Sequence, residues 1–520
     1  MASIRILLLL LIISAISASA STIDKEKLRW MRKKPVIDSI VIEGNSYFSD
    51  SDIRHQMYSK IKTLWRTLKR DRRSRLQKET YRRDTLEIKY LYIINGFLGV
   101  RVDETFNVQK KDSSVLVRVM IDEGDQFFYG DKSITGSYEK RFDNRFRKII
   151  KELKEGKPVN PFELRKSVFD LRTVLANNGY PYAAITYFLD TNSSHSHVPV
   201  VFSVKSDSLV HFGEVAIEGL EHYPEYVARR EIKIKPDKLY KRKTILESQR
   251  RLFESGYFSF LQLNQVENGG ERLKPNFILK ARERKPKYFS LTTGAGQSEV
   301  KDLIWDFSFG FGKRNFFESR KINLLADYSF SVGKDSRLIA HRYRVRYTEP
   351  WFLGIRMPLM LTGEFEPPIR SLLQDFKIRT WSLSMSTSKW YGENIRTTTG
   401  LEYVRVKISG VPPEKKDSLR LVEGISVRRK TYFTFRNDSR DNIFIPRRGI
   451  LTDFSSEYFG GFLGGADNFY KIKASLAAYR VIWPGWISAT RIKGGWVQEF
   501  GVSDEAPKEE LLYLGGANTI

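Results

Sequence analysis

The most constraining feature of this sequence is a two-residue alternation that fills its second half. In KINLLADYSFSV, apolar side chains occupy every second position from Ile322 to Phe330, and mostly polar ones lie between them. In RYRVRYTEP, the arginines from Arg342 to Arg346 alternate with aromatic and aliphatic residues. Successive side chains of a β-strand point to opposite faces, so each segment predicts a strand with one apolar and one polar face. Rows of arginine on the second face favour a membrane barrel with a wet lumen over a soluble sandwich.

About eleven such segments can be counted in residues 286–520, which we assign to an incomplete antiparallel β-barrel. They begin near Tyr288, Leu303, Lys321, Leu338, Met357, Phe376, Ile395, Ile425, Leu451, Phe469 and Trp486. If the first strand rises from the periplasm, every turn from an even to an odd strand faces the periplasm. Aromatic residues cluster at those turns, as an interfacial girdle requires: Trp351, Trp390, Tyr391, Trp483 and Trp486.

The first twenty residues predict export. MASIRILLLLLIISAISASA has a positive residue, an apolar stretch and a small-residue cleavage site, so residues 1–20 are interpreted as a secretory signal peptide. A membrane anchor is the alternative, but about eight strongly apolar residues are short for a span. Export argues against a nucleic-acid partner, although the net charge is +27. That charge suits anionic lipid head groups. The chain has no cysteine, which excludes disulfides, thiolate metal sites and a cysteine nucleophile.

Residues 35–285 repeat one small β-α-α-β-β unit three times, at 35–124, 125–207 and 208–285. The first and third copies open with a strand and a turn, VIEGN and AIEGL, which place Gly44, Asn45 and Gly219 at the turn. In every copy a helix ends at a glycine that an aromatic residue follows: Gly96, Gly179 and Gly256. Glycine permits the left-handed exit from the helix, and the aromatic ring packs back on the sheet.

These repeats resemble POTRA domains, the polypeptide-transport-associated modules of the BamA/TamA outer-membrane assembly family. Three modules resemble a TamA-like member. The turns RNFFES and RDNIFIPRRG resemble periplasmic turns of that family, and LYLGGANTI resembles the start of its long loop after the eleventh strand. The resemblance implies α+β repeats followed by a sixteen-stranded barrel. It also implies a lumen-loop start at Gly515, Gly516, Ala517 and Asn518, and a chain truncated before the Arg-Gly-aromatic motif of that loop.

The resemblance implies a protein that is not an enzyme and that inserts unfolded outer-membrane proteins into the bilayer. Client strands would pair with the edges of the modules and with the first barrel strand, YFSLTTGAGQS, through backbone hydrogen bonds. The expected pairing residues are Phe289, Leu291, Thr293, Gly294 and Gly296. The two glycines would weaken the seam of the barrel. Three alternatives remain open: blunted module edges that serve only as spacers, a polypeptide-secretion pore, and a passive barrel.

A second candidate site is the periplasmic turn that contains Arg440, Asp441, Asn442, Pro446 and Gly449. Its Asp and Asn side chains can cap backbone groups, while its arginines can pair with those acids or with lipid phosphates. An inner-membrane protein or a lipoprotein is a further expected companion.

Other chemistry is weakly supported. No Ser-His-Asp spacing suggests a hydrolase, and no cofactor is predicted. His195 and His197 are close in sequence, but no carboxylate ligand is obviously placed beside them. GFGKRN lies at a strand end and not before a helix, so it is not a phosphate loop. The segment Lys60–Arg83 carries eleven basic residues against two acids. It is a solvated face or loop, or it lies against anionic lipid.

Overall fold

The computed structural model describes residues 34–63, 66, 71–109, 114–191, 196–266, 271–297, 303–332, 337–368, 377–411, 424–483, 485–501, 503, 506 and 510–512. The chain divides into two compact units. The first is Met1–Glu214 with Lys235–Thr244 and Asn268–Pro275, and the second is Val215–Ile234 with Ile245–Glu267 and Asn276–Ile520. None of the helices in the described ranges combines the length and apolarity needed to cross a membrane.

The first module has the predicted β-α-α-β-β order. Its elements are β1 Val36–Glu43, α1 Asp50–Gln56, α2 Lys78–Ile93, β2 Arg101–Gln109 and β3 Ser114–Asp122. The last strand lies in the middle of the sheet, because β1 pairs with β3 in parallel and β2 pairs with β3 in antiparallel orientation. Val115, Val117 and Val119 of β3 are buried and alternate with more exposed residues, so the core lies between one face of this sheet and the two helices.

The second and third modules repeat this topology. The second contains β4 Phe128–Ser137, α3 Asp143–Lys151, α4 Pro161–Ala176, β5 Ala184–Leu189 and β6 His197–Lys205. The third contains β7 Val215–Glu218, α5 Glu225–Arg229, α6 Arg242–Glu254, β8 Phe258–Gln265 and β9 Phe277–Glu283. Their strand orders are β4-β6-β5 and β7-β9-β8, so the central strand is again the last one in each copy.

The end of the first strand of each module requires glycine: Gly44 and Gly219 directly follow β1 and β7, and Gly136 is the next-to-last residue of β4. Gly44, Gly136 and Gly219 all have positive φ, and a Cβ on any of them would lie about 2 Å from a carbonyl oxygen of the central strand. The sequence identified Gly44 and Gly219 but not Gly136. The glycines that end the helices, Gly96 and its two equivalents, also have positive φ, and the aromatic residue after each is buried.

The rest of the described chain forms one antiparallel sheet of eleven strands, as the alternation predicted. Its strands are β10 Lys287–Gln297, β11 Leu303–Phe316, β12 Arg320–Val332, β13 Arg337–Glu349, β14 Leu359–Glu366, β15 Lys377–Tyr391, β16 Ile395–Ser409, β17 Gly424–Asp438, β18 Gly449–Phe459, β19 Phe469–Trp483 and β20 Trp486–Glu499. Every strand pairs with its neighbour in sequence, and β10 and β20 are the two edges of the described sheet.

The two faces of this sheet differ in polarity. One face carries exposed apolar residues at paired positions, for example Phe309 of β11 next to Leu291 of β10. The other face carries ion pairs between neighbouring strands, such as Arg344 with Glu364 at 2.7 Å and Lys430 with Glu402 at 3.0 Å. This is the distribution expected when acyl chains cover one face and water covers the other.

Candidate functional site: open strand edges and their supporting turns

The first strand of the large sheet is paired on one side. Eleven consecutive residues of β10 pair with β11, from Lys287 opposite Lys313 to Gln297 opposite Leu303. No other strand in the described part of the chain pairs with the opposite edge of β10. Such an edge carries backbone N–H and C=O groups that can accept a further strand.

The structure brings the five predicted pairing residues together on β10. Phe289, Leu291 and Thr293 lie on the apolar face, and the first two are 69% and 60% exposed. Gly294 and Gly296 belong to the opposite face. A Cβ on Gly294 would meet only the Cβ of Asp306, at 4.0 Å, and a Cβ on Gly296 would meet nothing within 4 Å. These glycines are therefore not required by crowding, and they leave this stretch of the edge without side-chain packing.

The opposite end of β10 is anchored by a residue that the sequence analysis missed. The ring of Tyr288 lies over Gly312 of β11, and its hydroxyl donates a hydrogen bond to Asn323 Oδ1 on β12. The guanidinium of Arg314 lies 3.9 Å from the centre of the same ring. The pairing of Tyr288 with a glycine on the neighbouring strand is the sequence feature that could have indicated this contact. The strand is thus fixed at its start and loosely packed where its two glycines lie.

In each module the chain covers the approach to the first strand, and the second strand has no partner on its outer edge among the described residues. In the first module, the segment after α1 bonds to the start of β1: the N–H of Lys62 donates to Ile37 O and the N–H of Leu76 donates to Pro35 O, both at 2.9 Å. Part of the basic segment Lys60–Arg83 therefore blocks the edge of β1. The outer edge of β2 has no partner strand in the described ranges.

In the second and third modules, too, irregular chain bonds to the backbone at or before the first strand. Just before and at the start of β4, the backbone bonds to residues 157–159, and the backbone just before β7 bonds to residues 237–240. Across the described residues, β5 and β8 pair only with the central strand of their own sheets. Exposed aromatic residues lie on both, Phe188 on β5 and Phe260 on β8.

The turn between β17 and β18 is held by its own polar side chains. Asn442 Oδ1 accepts the N–H groups of Phe444 and Ile445 at 2.8 and 3.0 Å. Asp441 Oδ1 accepts those of Arg447 and Arg448 at 2.9 and 3.1 Å, and these hydrogen bonds lower the pKa of Asp441. The local capping proposed from the sequence is thus the geometry observed for both side chains.

The two ends of this turn are fixed in different ways. Arg440 binds Asp438 through two nitrogens at 2.7 and 2.8 Å, and this carboxylate raises the pKa of Arg440. Gly449 has a φ of +112°, and a Cβ there would lie 2.4 Å from the carbonyl oxygen of Ser439. Pro446 lies between the two capped segments. The length of the turn accommodates these internal contacts.

The turn between β13 and β14 packs against residues of the third module that belong to the same compact unit as the turn. Glu231, which follows α5, is buried and accepts a hydrogen bond from Trp351 Nε1 at 2.6 Å. The same carboxylate pairs with Arg356 at 3.1 Å and with Arg251 of α6 at 3.4 Å. Sequence analysis assigned Trp351 to an aromatic girdle, but its indole N–H is bonded to a module residue. Only the fold reveals this contact, because the two residues are far apart in the chain.

The residues that the structure describes contain no group of three His, Asp or Glu side chains that could hold a metal. His197 begins β6 and stacks on Phe128. The GFGKRN segment is part of β11, where Gly310 faces Ser290 and Gly312 faces Tyr288. The signal peptide, His195 and the four lumen-loop residues Gly515, Gly516, Ala517 and Asn518 lie outside the described residues.

Known protein families match both parts of the chain. The POTRA model, described as a surface antigen variable number repeat, matches residues 35–124, 129–207 and 210–278. The Omp85 superfamily domain matches residues 323–520. Together the two models cover the modules and most of the large sheet.

Three relatives carry the same name, outer membrane protein assembly factor BamA. The protein from Nitratidesulfovibrio vulgaris is 23% identical over 94% of this chain and 59% of its own length. Those from Neisseria meningitidis and Neorickettsia risticii are each 22% identical, over 94% and 87% of this chain. The chain spans about 60% of the length of these relatives.

A solved structure shows the same fold. BamA from Haemophilus ducreyi, lacking POTRA domains 1–3, is similar with a TM-score of 0.52 and 18% identity, over 75% of this chain and 74% of that one. The TamA-like subdivision suggested by three modules stays a prediction. The repeats, the eleven-stranded sheet and the family matches agree on one assignment: this chain belongs to the BamA/TamA family of outer-membrane proteins, with its POTRA modules in the periplasm.

Proposed function

We propose that this protein assembles other β-barrel proteins into the outer membrane by offering open strand edges as templates. The membrane interior cannot host unpaired backbone groups, so an incoming strand needs a partner before it enters the bilayer. The edge of β10 would supply that partner. The names of the BamA relatives support the assembly role.

The observation that carries the proposal is the loose packing of β10 at Gly294 and Gly296. Backbone groups bind an added strand whatever its sequence, while side chains provide only secondary selection. The anchored Tyr288 keeps the start of β10 in register with β11, and the glycines leave the rest of the strand easy to separate from a neighbour. A template strand must bind the client strand and later release it. The anchored start of β10 suits binding, and the loosely packed glycine stretch suits release.

The open edges of β2, β5 and β8 would act earlier. In all three modules the chain covers the approach to the first strand, at or just before its start, and among the described residues the second strand has no partner on its outer edge. The repeated arrangement supports a role in holding unfolded clients, rather than one as spacers.

The glycines of β10 give a direct test. Replacing both Gly294 and Gly296 with valine should slow client insertion about 5–30-fold, because stronger strand propensity adds about 1–2 kcal/mol to the pairing that must open. Both positions have room for a side chain, so the substitution causes no clash. The measurement is the rate at which a purified client becomes protease-resistant in liposomes that contain the full-length protein.

The matched control is Gly363→Val in β14. Gly363 also has nothing within 4 Å of its missing Cβ, but it lies in a strand paired on both sides. This variant should insert clients at the normal rate. Equal rates for the double variant and the unmodified protein would refute the template role of β10.

A further inference from the structure

The turn between β17 and β18 presents an apolar tip that its own structure holds out to solvent. Ile443, Phe444 and Ile445 are 68%, 92% and 70% exposed, and they are consecutive. We call these three residues the apolar tip. Exposed clusters of large apolar side chains usually mark a contact with another protein or with a membrane.

The apolar tip is a built feature. The N–H groups of Phe444 and Ile445 are both bound by the side chain of Asn442, and those of Arg447 and Arg448 by the side chain of Asp441. These contacts fix the backbone on both sides of the tip. Its conformation is therefore set before any partner arrives, and little ordering entropy is lost on binding.

Two positive charges lie beside the tip. Asp441 bonds to the backbone of Arg447 and Arg448, which leaves their guanidinium groups for other partners. In the described part of the chain neither guanidinium forms an ion pair. The partner that suits an apolar tip with adjacent arginines has an apolar interior below an anionic surface, as a phospholipid leaflet does.

Neighbouring turns on the same side of the sheet have related character. The turn between β19 and β20 exposes Trp483 and Trp486, and the turn between β15 and β16 exposes Trp390 and Tyr391. Tryptophan and tyrosine concentrate at the head-group level of membranes. The apolar tip thus continues a row of interfacial residues, whereas Trp351 in the turn after β13 is bonded to Glu231 of the third module.

We propose that the apolar tip inserts into the head-group region of the periplasmic leaflet, where Arg447 and Arg448 bind lipid phosphates. The depth expected for such an interfacial contact is about 5–10 Å. The tip would hold this side of the sheet at a fixed height in the bilayer. This inference depends on the membrane location of the sheet and not on the template role of β10.

The absence of cysteine allows a clean test in the full-length protein. Phe444→Cys is labelled with the environment-sensitive fluorophore NBD, and the protein is placed in nanodiscs of phosphatidylcholine with phosphatidylglycerol. We expect blue-shifted emission that is quenched by lipids carrying a shallow nitroxide and protected from aqueous iodide. Asp125→Cys, in the exposed loop between β3 and β4, gives the water-exposed reference.

The arginines are tested in a second variant. Arg447→Gln with Arg448→Gln, in the same labelled protein, should remove the extra blue shift that phosphatidylglycerol gives over phosphatidylcholine alone. Emission at position 444 equal to that at position 125 would overturn the proposal. So would protection that appears only after a periplasmic protein extract is added, because the tip would then bind a protein. An unchanged dependence on phosphatidylglycerol in the glutamine variant would overturn the assignment of the phosphates to these arginines.

Discussion

Two carboxyl groups lie in the interior of the first module. Glu104 of β2 is nearly buried and accepts a hydrogen bond from Thr85 Oγ1 at 2.8 Å. Asp84 of α2 is fully buried and accepts the N–H groups of Tyr58 and Ser59. Burial raises the pKa of both groups, and it raises the pKa of Glu104 to about 8. Glu104 therefore carries a proton at neutral pH in the folded module.

This gives a pH dependence that can be measured. The folded module keeps the Glu104 proton up to about pH 8, whereas the unfolded chain releases it above about 4.5. The free energy of unfolding should therefore be greatest below that lower value and decrease as the pH rises toward 8, by at most about 1.4 kcal/mol per pH unit. Urea unfolding of a fragment with the first two modules, followed by circular dichroism, measures this slope.

Glu104→Gln keeps the size and hydrogen-bonding capacity of the side chain but removes its titration. The glutamine variant should lose most of the slope between about pH 5 and about pH 8. If both proteins show the same slope, a different group is responsible.

At this scale the sequence predicted some turn glycines but not others. Gly44 and Gly219 follow an Ile-Glu pair and were found, whereas Gly136 follows Ile-Thr and was not. All three have the same close contact with the central strand, so the physical requirement is identical. Gly136 lacks the preceding glutamate by which the other two glycines were recognised. That glutamate is not needed for the turn itself. Tyr288 was missed for another reason, since its contact with Gly312 depends on register between strands.

At the scale of elements, the contact centred on Glu231 links the third module to the turn after β13. Glu231 is almost completely buried, and three donors from α6 and the turn converge on its carboxylate. Removing a buried carboxylate leaves its cationic partners without compensation. The two arginines would then be held in a partly dehydrated place with no counter-charge.

Glu231→Ala should weaken this contact by about 3 kcal/mol, the lower end of the range for buried pairs because Arg356 is partly exposed. Faster amide hydrogen exchange in residues 350–358 of the protein in nanodiscs is the expected result. Glu225→Ala, which removes an exposed pair with Arg229 in α5, should change exchange little, because such pairs contribute about 0.5 kcal/mol or less. Equal exchange in the two variants would show that Glu231 does not hold the turn.

The strands of the large sheet were predictable, and the covered module edges were not. A strand with one apolar and one polar face must alternate, so all eleven were found from sequence, with starts within about two residues of those observed. Coverage of β1 by the segment after α1 uses backbone hydrogen bonds to irregular chain. Backbone pairing of this kind leaves no periodic side-chain signal, so sequence analysis could assign the basic segment only to solvent or to lipid.

For the molecule as a whole, the polar face of the large sheet explains how its charges are accommodated. Lys430 lies between Glu402 and Glu457, at 3.0 and 3.4 Å, and Lys473 also pairs with Glu457. Charges on one face are tied together across strands, while the apolar face carries aromatic and aliphatic residues. This separation lets the sheet meet lipid on one face and water on the other.

The central claim is that a client strand pairs with the edge of β10, and site-specific cross-linking tests it most directly. A single cysteine replaces Thr293 in the cysteine-free protein, and clients with one cysteine at successive positions of a terminal strand are added during insertion. Thr399→Cys is the matched control, because Thr399 is also an exposed threonine but belongs to β16, which is paired on both sides. We predict disulfide-linked client at Thr293→Cys, strongest at every second client position, and none at Thr399→Cys. Equal cross-linking at the two positions, or none at Thr293→Cys while insertion continues, would contradict the account.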